Sequence, residues 1–248
     1  MTQHEPRKVW IDEYKIHSYE VDVRGELALP MLCQFMQESA WHHAENLKVG
    51  FSQLIRDNLI WVLAQQYIKV DTYPKWSDTI HLHTWPSGRG RLSYFRDFRI
   101  LDDSDNLLAV ATTKWYVIHT KTRKPANIDS QFSDNLKNIE QACSHQLEKV
   151  PALSSHENGT PFKVRYTDLD VNEHVNNVKY VEWLIQNYDL DFHKSNRLSE
   201  LNIVYFQEAL YNDDLVIFRE DKSDLCFHHS VIRHDGNTEI CRAKLRWK

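Results

Sequence analysis

Apolar side chains recur along this chain at two different spacings, and the switches between them mark out its elements. From Trp10 to Val21 large apolar residues stand among charges as in a strand, and Asp22-Val23-Arg24-Gly25 then supplies a turn. Leu32, Phe35 and Met36 fall at i, i+3 and i+4, which predicts a helix from about Leu29 to Leu47 with one buried face. Trp61 to Val70, Thr79 to Trp85, Tyr94 to Leu101 and Leu108 to Ile118 read as β-strands, divided by Tyr73-Pro74, Ser87-Gly88 and the polar run Asp102 to Asn106.

From about Lys121 to Thr160 the sequence turns polar, with one helix expected near Asn135 to Glu148 and a breaker-rich stretch from Pro151 through Asn158-Gly159-Thr160-Pro161. Beyond it the same order returns: a strand from Phe162 to Tyr166, an acidic turn, a helix from about Val175 to Asn187, and strands near 201–209, 214–220, 226–234 and 239–247. The chain thus reads as an N-terminal module over 1–130, a linker over 131–160 and a C-terminal module over 161–248. Slid on itself by 146 positions, it places Asp22 on Asp168, Leu32 on Val178 and Phe35 on Val181. Past the helix a shift of 135 places Ile68 on Ile203, Asp78 on Asp213 and Ile80 on Leu215, the drift expected of diverged copies.

Composition narrows the function classes. With 248 residues, 42% apolar and 12% aromatic, the chain can bury one large core or two small ones. Its formal charge is −5 and no long stretch is uniformly basic, which argues against a nucleic-acid or anionic-membrane binder. The first residues lack the apolar core of a secretory signal and no run of about 18 apolar residues occurs, so no membrane insertion and no export are expected. Cys33, Cys143, Cys226 and Cys241 form no C-x-x-C pair and no ligand-spaced cluster with histidine. Four reduced thiols, no structural metal and a cytoplasmic location are the expectation.

The densest polar information runs from Arg165 to Tyr180, where Asp168, Asp170, Asn172 and His174 alternate. An extended backbone would point all four to one side. They precede a helix whose free N–H groups could stabilise a developing oxyanion. A calcium loop competes, because Asp168-x-Asp170-x-Asn172 matches the start of an EF-hand, but Glu173 stands where glycine is wanted and Lys179 where the closing glutamate should be. A plain helix cap, without catalysis, also accounts for these residue types. His42-His43, His81-x-His83 and His228-His229 lack carboxylate or cysteine partners at metal spacing and read as surface or packed histidines.

The stretch Asp168-Leu169-Asp170-Val171-Asn172-Glu173-His174-Val175-Asn176-Asn177-Val178-Lys179-Tyr180 resembles the catalytic signature of the acyl-acyl carrier protein thioesterases of plants and bacteria. Trp61-Val62-Leu63, Tyr73-Pro74-Lys75-Trp76-Ser77-Asp78, Thr84-Trp85-Pro86 and Arg96-Asp97-Phe98 resemble that family in order and spacing, so the likeness covers about residues 8–248. It implies an α+β chain of two tandem hotdog modules, each a long helix wrapped by an antiparallel β-sheet. It also implies that Asp170, Asn172 and His174 are functional, joined by Glu208 from the following strand. The family pairs that glutamate with a neighbour that is often cysteine; here the neighbour is Ala209, which disfavours a thiol nucleophile and leaves water to attack. By the two shifts, the slots of Asn172, His174 and Glu208 hold Glu26, Ala28 and Tyr73 in the first copy, so only the second copy keeps the set.

The resemblance therefore implies hydrolysis of a fatty acyl thioester without any cofactor. Glu208 would act as general base toward water, Asn172 and His174 would position substrate and water, and Asp170 would orient its neighbours. The implied partner is an acidic acyl carrier protein, for which Arg89, Arg91, Arg96 and Arg99, or the stretch Lys121 to Lys124, could supply local positive charge; a solvated charged hairpin with no docking role is the alternative reading of the same cations. Rival readings are an acyl-CoA thioesterase, a hotdog dehydratase and a non-catalytic acyl-binding protein. Two fused modules leave the assembly open between monomer and homodimer.

Overall fold

The computed structural model describes residues 5–129, 141–142, 147–236 and 238–248. The helix expected near Asn135 to Glu148 lies for the most part outside the described residues. Two compact units emerge: Met1–Ala64 with Asp71–Gln146, and Gln65–Val70 with Leu147–Lys248.

The first unit contains β1 (Trp10–Lys15), α1 (Leu29–Asn46), α2 (Phe51–Leu54), the start of β2 (Leu59–Val70), β3 (Thr79–Arg89), β4 (Ser93–Asp102), β5 (Leu107–His119) and the short β6 (Pro125–Ala126). β1, β3, β4 and β5 pair antiparallel in that order, and β6 pairs with β5. Alternation decides the faces of the sheet. Leu82 of β3 lies opposite Ile100 of β4, and Thr84 opposite Phe98, all four buried. α1 begins with Pro30 in its first turn, where a missing N–H costs nothing, and buries Leu32, Phe35, Met36, Ser39, Ala40 and His43 along one stripe. Tyr14 of β1 stacks on Phe35 with ring centroids 4.3 Å apart, and its hydroxyl meets Ser39 Oγ at 2.9 Å.

The first strand is shorter than the expected Trp10 to Val21. It ends at Lys15 because on the facing chain the Asp78 N–H turns back to the Lys75 carbonyl, leaving the Ser77 N–H to take the Ile16 carbonyl, and because the Glu20 carboxylate collects the His17 N–H at 2.7 Å, folding 17–20 into a turn. β3 overruns its expected end at Trp85, passing Pro86 through a register shift before Gly88.

The second unit contains the end of β2 with β7 (Thr160–Lys163), α3 (Asn177–Ile185), α4 (Leu190–Ser195), β8 (Leu198–Tyr205), β9 (Asp214–Ser223), β10 (Cys226–Arg233) and β11 (Glu239–Trp247). Its strands pair antiparallel in the order β2, β8, β11, β10, β9, β7. Gln65 secures β2 here by donating to Asn202 Oδ1 at 2.9 Å and to the Glu148 carbonyl at 2.7 Å.

Two expectations change in this unit. The helix expected from Val175 to Asn187 is nine residues long and stops at Ile185, after which Asp189 caps α4 through the Phe192 N–H at 2.7 Å. At 1.5 Å per residue it spans only about half the length of the 18-residue α1. The strand expected over 201–209 ends at Tyr205, because the Phe206 and Gln207 N–H groups both turn to the Ile240 carbonyl. Glu208 therefore stands in the loop after β8, not in a strand.

Candidate active site

Asp168 and Asp170 fold the signature stretch into two successive turns instead of the extended run that alternation suggested. Asp168 Oδ2 accepts the Arg165 N–H at 2.7 Å, closing a single 3-10 turn over Tyr166–Asp168. Asp170 Oδ1 then accepts the N–H groups of Asn172 at 2.8 Å and His174 at 3.3 Å, while the Asp170 N–H donates to the His174 carbonyl at 2.8 Å. Glu173 takes a left-handed φ of 62° to complete this turn, and Leu169 bridges to Val175 across it. Asp170 is thus half-buried beneath the turn. Asn172 is exposed at its tip, with its Nδ2 3.5 Å from Asp170 Oδ2.

His174 leaves this turn facing the loop after β8. Its Nε2 lies 3.6 Å from Glu208 Oε2, and the two side chains are 28% and 33% exposed, so water reaches both. The backbones are tied as well: residue 174 bridges to residue 210, and the Val175 N–H donates to the Ala209 carbonyl at 3.0 Å. An imidazole and a carboxylate 34 positions apart in the chain thus meet just beyond hydrogen-bond length, a separation that a bound substrate can shorten. The start of α3 offers less than expected. Asn176 takes the Val178 N–H with its side chain and the Lys179 N–H with its carbonyl, both at 2.9 Å, so those donors are not left for an oxyanion.

The first unit repeats this architecture and corrects the alignment. Asp22 accepts the Arg24 N–H at 2.8 Å and the Glu26 N–H at 3.4 Å, Val21 bridges to Leu27, and Gly25 supplies the left-handed residue at φ 72°. The true shift before the helix is therefore 148, with Asp22 on Asp170, Arg24 on Asn172 and Glu26 on His174. The shift of 135 holds beyond it, since the Glu26 to Lys75 bridge answers the His174 to Leu210 bridge, and Tyr73 answers Glu208. Arg24 pairs with both Asp22 and Glu26, so the first unit holds a salt-bridged cluster where the second holds Asn172, His174 and Glu208.

Of the cations offered for docking, Arg96 points inward. Its Nη1 donates to His43 Nδ1 at 3.0 Å and to Thr84 Oγ1 at 3.1 Å, and burial pulls the guanidinium down to about 10. Arg89 pairs with Asp129 at 2.7 Å and Arg99 lies over Trp85. Among the described residues no group of three or more His, Cys, Asp or Glu side chains converges as metal ligands would, and Cys33, Cys226 and Cys241 are buried thiols outside any disulfide. Tyr180 and Arg233 also reach the Glu208 loop, a role unread in the sequence although Tyr180 lies within the signature and on the buried face of α3.

Residues 7–136 match the family model described as the acyl-ACP thioesterase N-terminal domain, and residues 152–248 that of the C-terminal domain. Over 255 residues the chain is 29% identical to an acyl-[acyl-carrier-protein] hydrolase, FATB3, chloroplastic, of Cuphea viscosissima, covering 95% of this chain and 61% of the relative. It is 28% identical to a chloroplastic palmitoyl-acyl carrier protein thioesterase of Gossypium hirsutum, covering 97% and 64%. The chain thus spans a little over three fifths of the length of these relatives. Among solved structures, an acyl-ACP thioesterase from Bacteroides thetaiotaomicron superposes over 100% of both chains with a TM-score of 0.90 at 24% identity. The 12:0-ACP thioesterase of Umbellularia californica superposes over 98% of both with a TM-score of 0.83 at 25% identity.

Proposed function

Because this chain belongs to the acyl-ACP thioesterase family, we propose that it hydrolyses fatty acyl thioesters of acyl carrier protein and releases the free fatty acid. The observation that carries this reading is the approach of His174 Nε2 to Glu208 Oε2 at 3.6 Å, at a place open to water and braced by the Asp170 turn.

In the proposed reaction a water oxygen attacks the thioester carbonyl carbon while the Glu208 carboxylate takes one of its protons. The tetrahedral intermediate then expels the carrier's thiolate, which takes up that proton as the C–S bond breaks. His174 steadies the carboxylate and the water, the Asn172 amide offers an N–H to the oxyanion, and Asp170 holds the turn that presents both. A positioned base contributes typically ~10²–10⁴-fold and one oxyanion donor ~10²–10³-fold. Ala209 carries no thiol, so the mechanism needs no covalent intermediate. The buried thiols Cys33, Cys226 and Cys241 suit a reducing compartment, and the cytoplasm is the one we assign.

The test is product analysis after incubation with carrier-linked acyl chains of graded length and with the matching acyl-CoA series. Free fatty acid from the carrier-linked set is expected. Rapid turnover of acyl-CoA alone would replace the carrier by CoA, and binding without product in both series would leave a non-catalytic acyl-binding protein.

A further inference from the structure

The peptide joining Glu208 to Ala209 is held from both sides by side chains. The buried Tyr180 hydroxyl on α3 accepts the Ala209 N–H at 3.1 Å, and Arg233 Nη2 at the end of β10 donates to the Glu208 carbonyl at 3.1 Å. Arg233 is itself fixed, because its Nε and Nη2 reach Asp213 Oδ2 at 3.2 and 2.9 Å. Burial pushes the Tyr180 hydroxyl up, so it stays neutral and available as an acceptor through the working range of pH. A residue in a loop has no strand ladder to aim it, yet these bonds act on the very peptide that carries Glu208.

The first unit shows what the shared fold requires on its own. Leu32 stands in the place of Tyr180 and Pro74 in the place of Ala209; Asp102 lies opposite Ile80 as Arg233 lies opposite Leu215. Leu32 has no hydroxyl, Pro74 has no N–H, and Asp102 bonds instead to Ser104 and Asn106. Even so, the loop closes with the same backbone bonds. The Leu27 N–H reaches the Pro74 carbonyl at 2.8 Å, and Asp78 collects the Lys75 N–H at 2.7 Å as Asp213 collects that of Leu210 at 3.0 Å. The turn forms without the clamp, and the clamp accompanies the unit whose loop carries a carboxylate in place of Tyr73.

We propose that Tyr180 and Arg233 are positioning residues that fix Glu208 beside His174 for hydrolysis, an inference that rests on the assignment of Glu208 as the base. Catalytic groups need support to within about 0.5 Å, and a misplacement of about 1 Å can cost ~10²-fold in rate.

The experiment measures kcat and KM on a carrier-linked acyl substrate for Tyr180→Phe, Arg233→Lys and Glu208→Gln, and for each clamp variant combined with Glu208→Gln, with thermal melting to confirm folding. Tyr180→Phe keeps the ring and removes the acceptor; Arg233→Lys keeps a cation for Asp213 and shortens the reach to the Glu208 carbonyl. Each is expected to lower kcat ~10–100-fold with KM within about twofold, and to add less than about twofold once Glu208 is already Gln. Full turnover in both clamp variants while Glu208→Gln is impaired would overturn the clamp alone, as would losses that multiply in the double variants. Full turnover in Glu208→Gln would overturn the base assignment and the clamp with it. If Tyr180→Phe does not fold, Arg233→Lys decides by the same criteria.

Discussion

Asp22 and Asp170 occupy equivalent places in the two units, and each carboxylate collects the backbone N–H groups two and four residues ahead of it. One fold-level task is thus done twice, while chemistry is offered once. Asp22→Ala and Asp170→Ala should each cost about 2 kcal/mol of stability, at about 1 kcal/mol net for each of the two hydrogen bonds lost. Only Asp170→Ala should also lower turnover, by about tenfold or more, because it releases the turn that carries Asn172 and His174. Asp170→Asn, which keeps an acceptor oxygen, should lie between. Denaturant titration and turnover measured on the three variants check this, and an equal loss of turnover in Asp22→Ala would contradict it.

The turn also explains where the sequence misled. Strands β3 and β11 were legible because alternation survives where one face is buried, β4, β5 and β10 because short apolar and aromatic runs stand between polar turns, and α1 because Leu32, Phe35, Met36 and Ser39 keep helical spacing. The alternation Asp168, Asp170, Asn172, His174 looked like a strand but arises from carboxylates bonding nearby backbone N–H groups, which competes with any extended form. Helical spacing alone does not fix register to two residues, so the shift of 146 placed apolar on apolar as readily as the true 148. The better anchor was the left-handed position, marked by Gly25 in one unit but hidden by Glu173 in the other. The meeting of His174 with Glu208 was never legible from spacing; family resemblance alone pointed to Glu208.

Two buried histidines should make the fold acid-sensitive. His43 presents Nδ1 to Arg96, which can only donate, and Nε2 to the Arg7 carbonyl at 2.8 Å, so its ring is neutral with the proton on Nε2. His229 is fully buried, with Nε2 3.3 Å from the Tyr188 hydroxyl. Burial, aided by Arg96 at His43 and by Arg219 at His229, pulls both from 6.5 down to about 3. Below pH 6.5 the unfolded chain binds protons that the folded chain refuses, so their contribution is complete above pH 6.5 and drains away toward pH 3. At ~1.4 kcal/mol per pH unit for each group, the step from pH 7 to pH 5 should remove roughly 2 kcal/mol per histidine. Denaturant midpoints at the two values measure it, and His229→Phe should flatten the dependence.

Carrier docking, if it uses the first unit's cations, must rely on those at its surface. Arg96 is spent on His43, which leaves exposed Arg91 and the exposed Lys121, Arg123 and Lys124 as the cations to test. Arg91→Glu combined with Lys121→Glu should raise KM for a carrier-linked substrate by about five- to tenfold at low salt and leave KM for the matching acyl-CoA unchanged. The difference should shrink as salt screens the surface. Steady-state kinetics on both substrates at two ionic strengths separates docking from a general loss of activity, and parallel changes in both substrates would refute it.

Ala209 offers a direct test of whether this site could work through a thiol. Its side chain is completely buried, and its N–H and carbonyl are both engaged, by Tyr180 and by Val175. A cysteine placed there would add one sulfur to a packed interior and face the same desolvation that pushes the buried Cys241 thiol well above its ordinary value. A thiol held protonated is a poor nucleophile at neutral pH, and a buried one is shielded from alkylation. Ala209→Cys should therefore turn over within about twofold of the unaltered chain and resist iodoacetamide to the same degree. A gain in rate that alkylation abolishes would show that the loop can open to expose position 209, and would return covalent catalysis to consideration in place of attack by water.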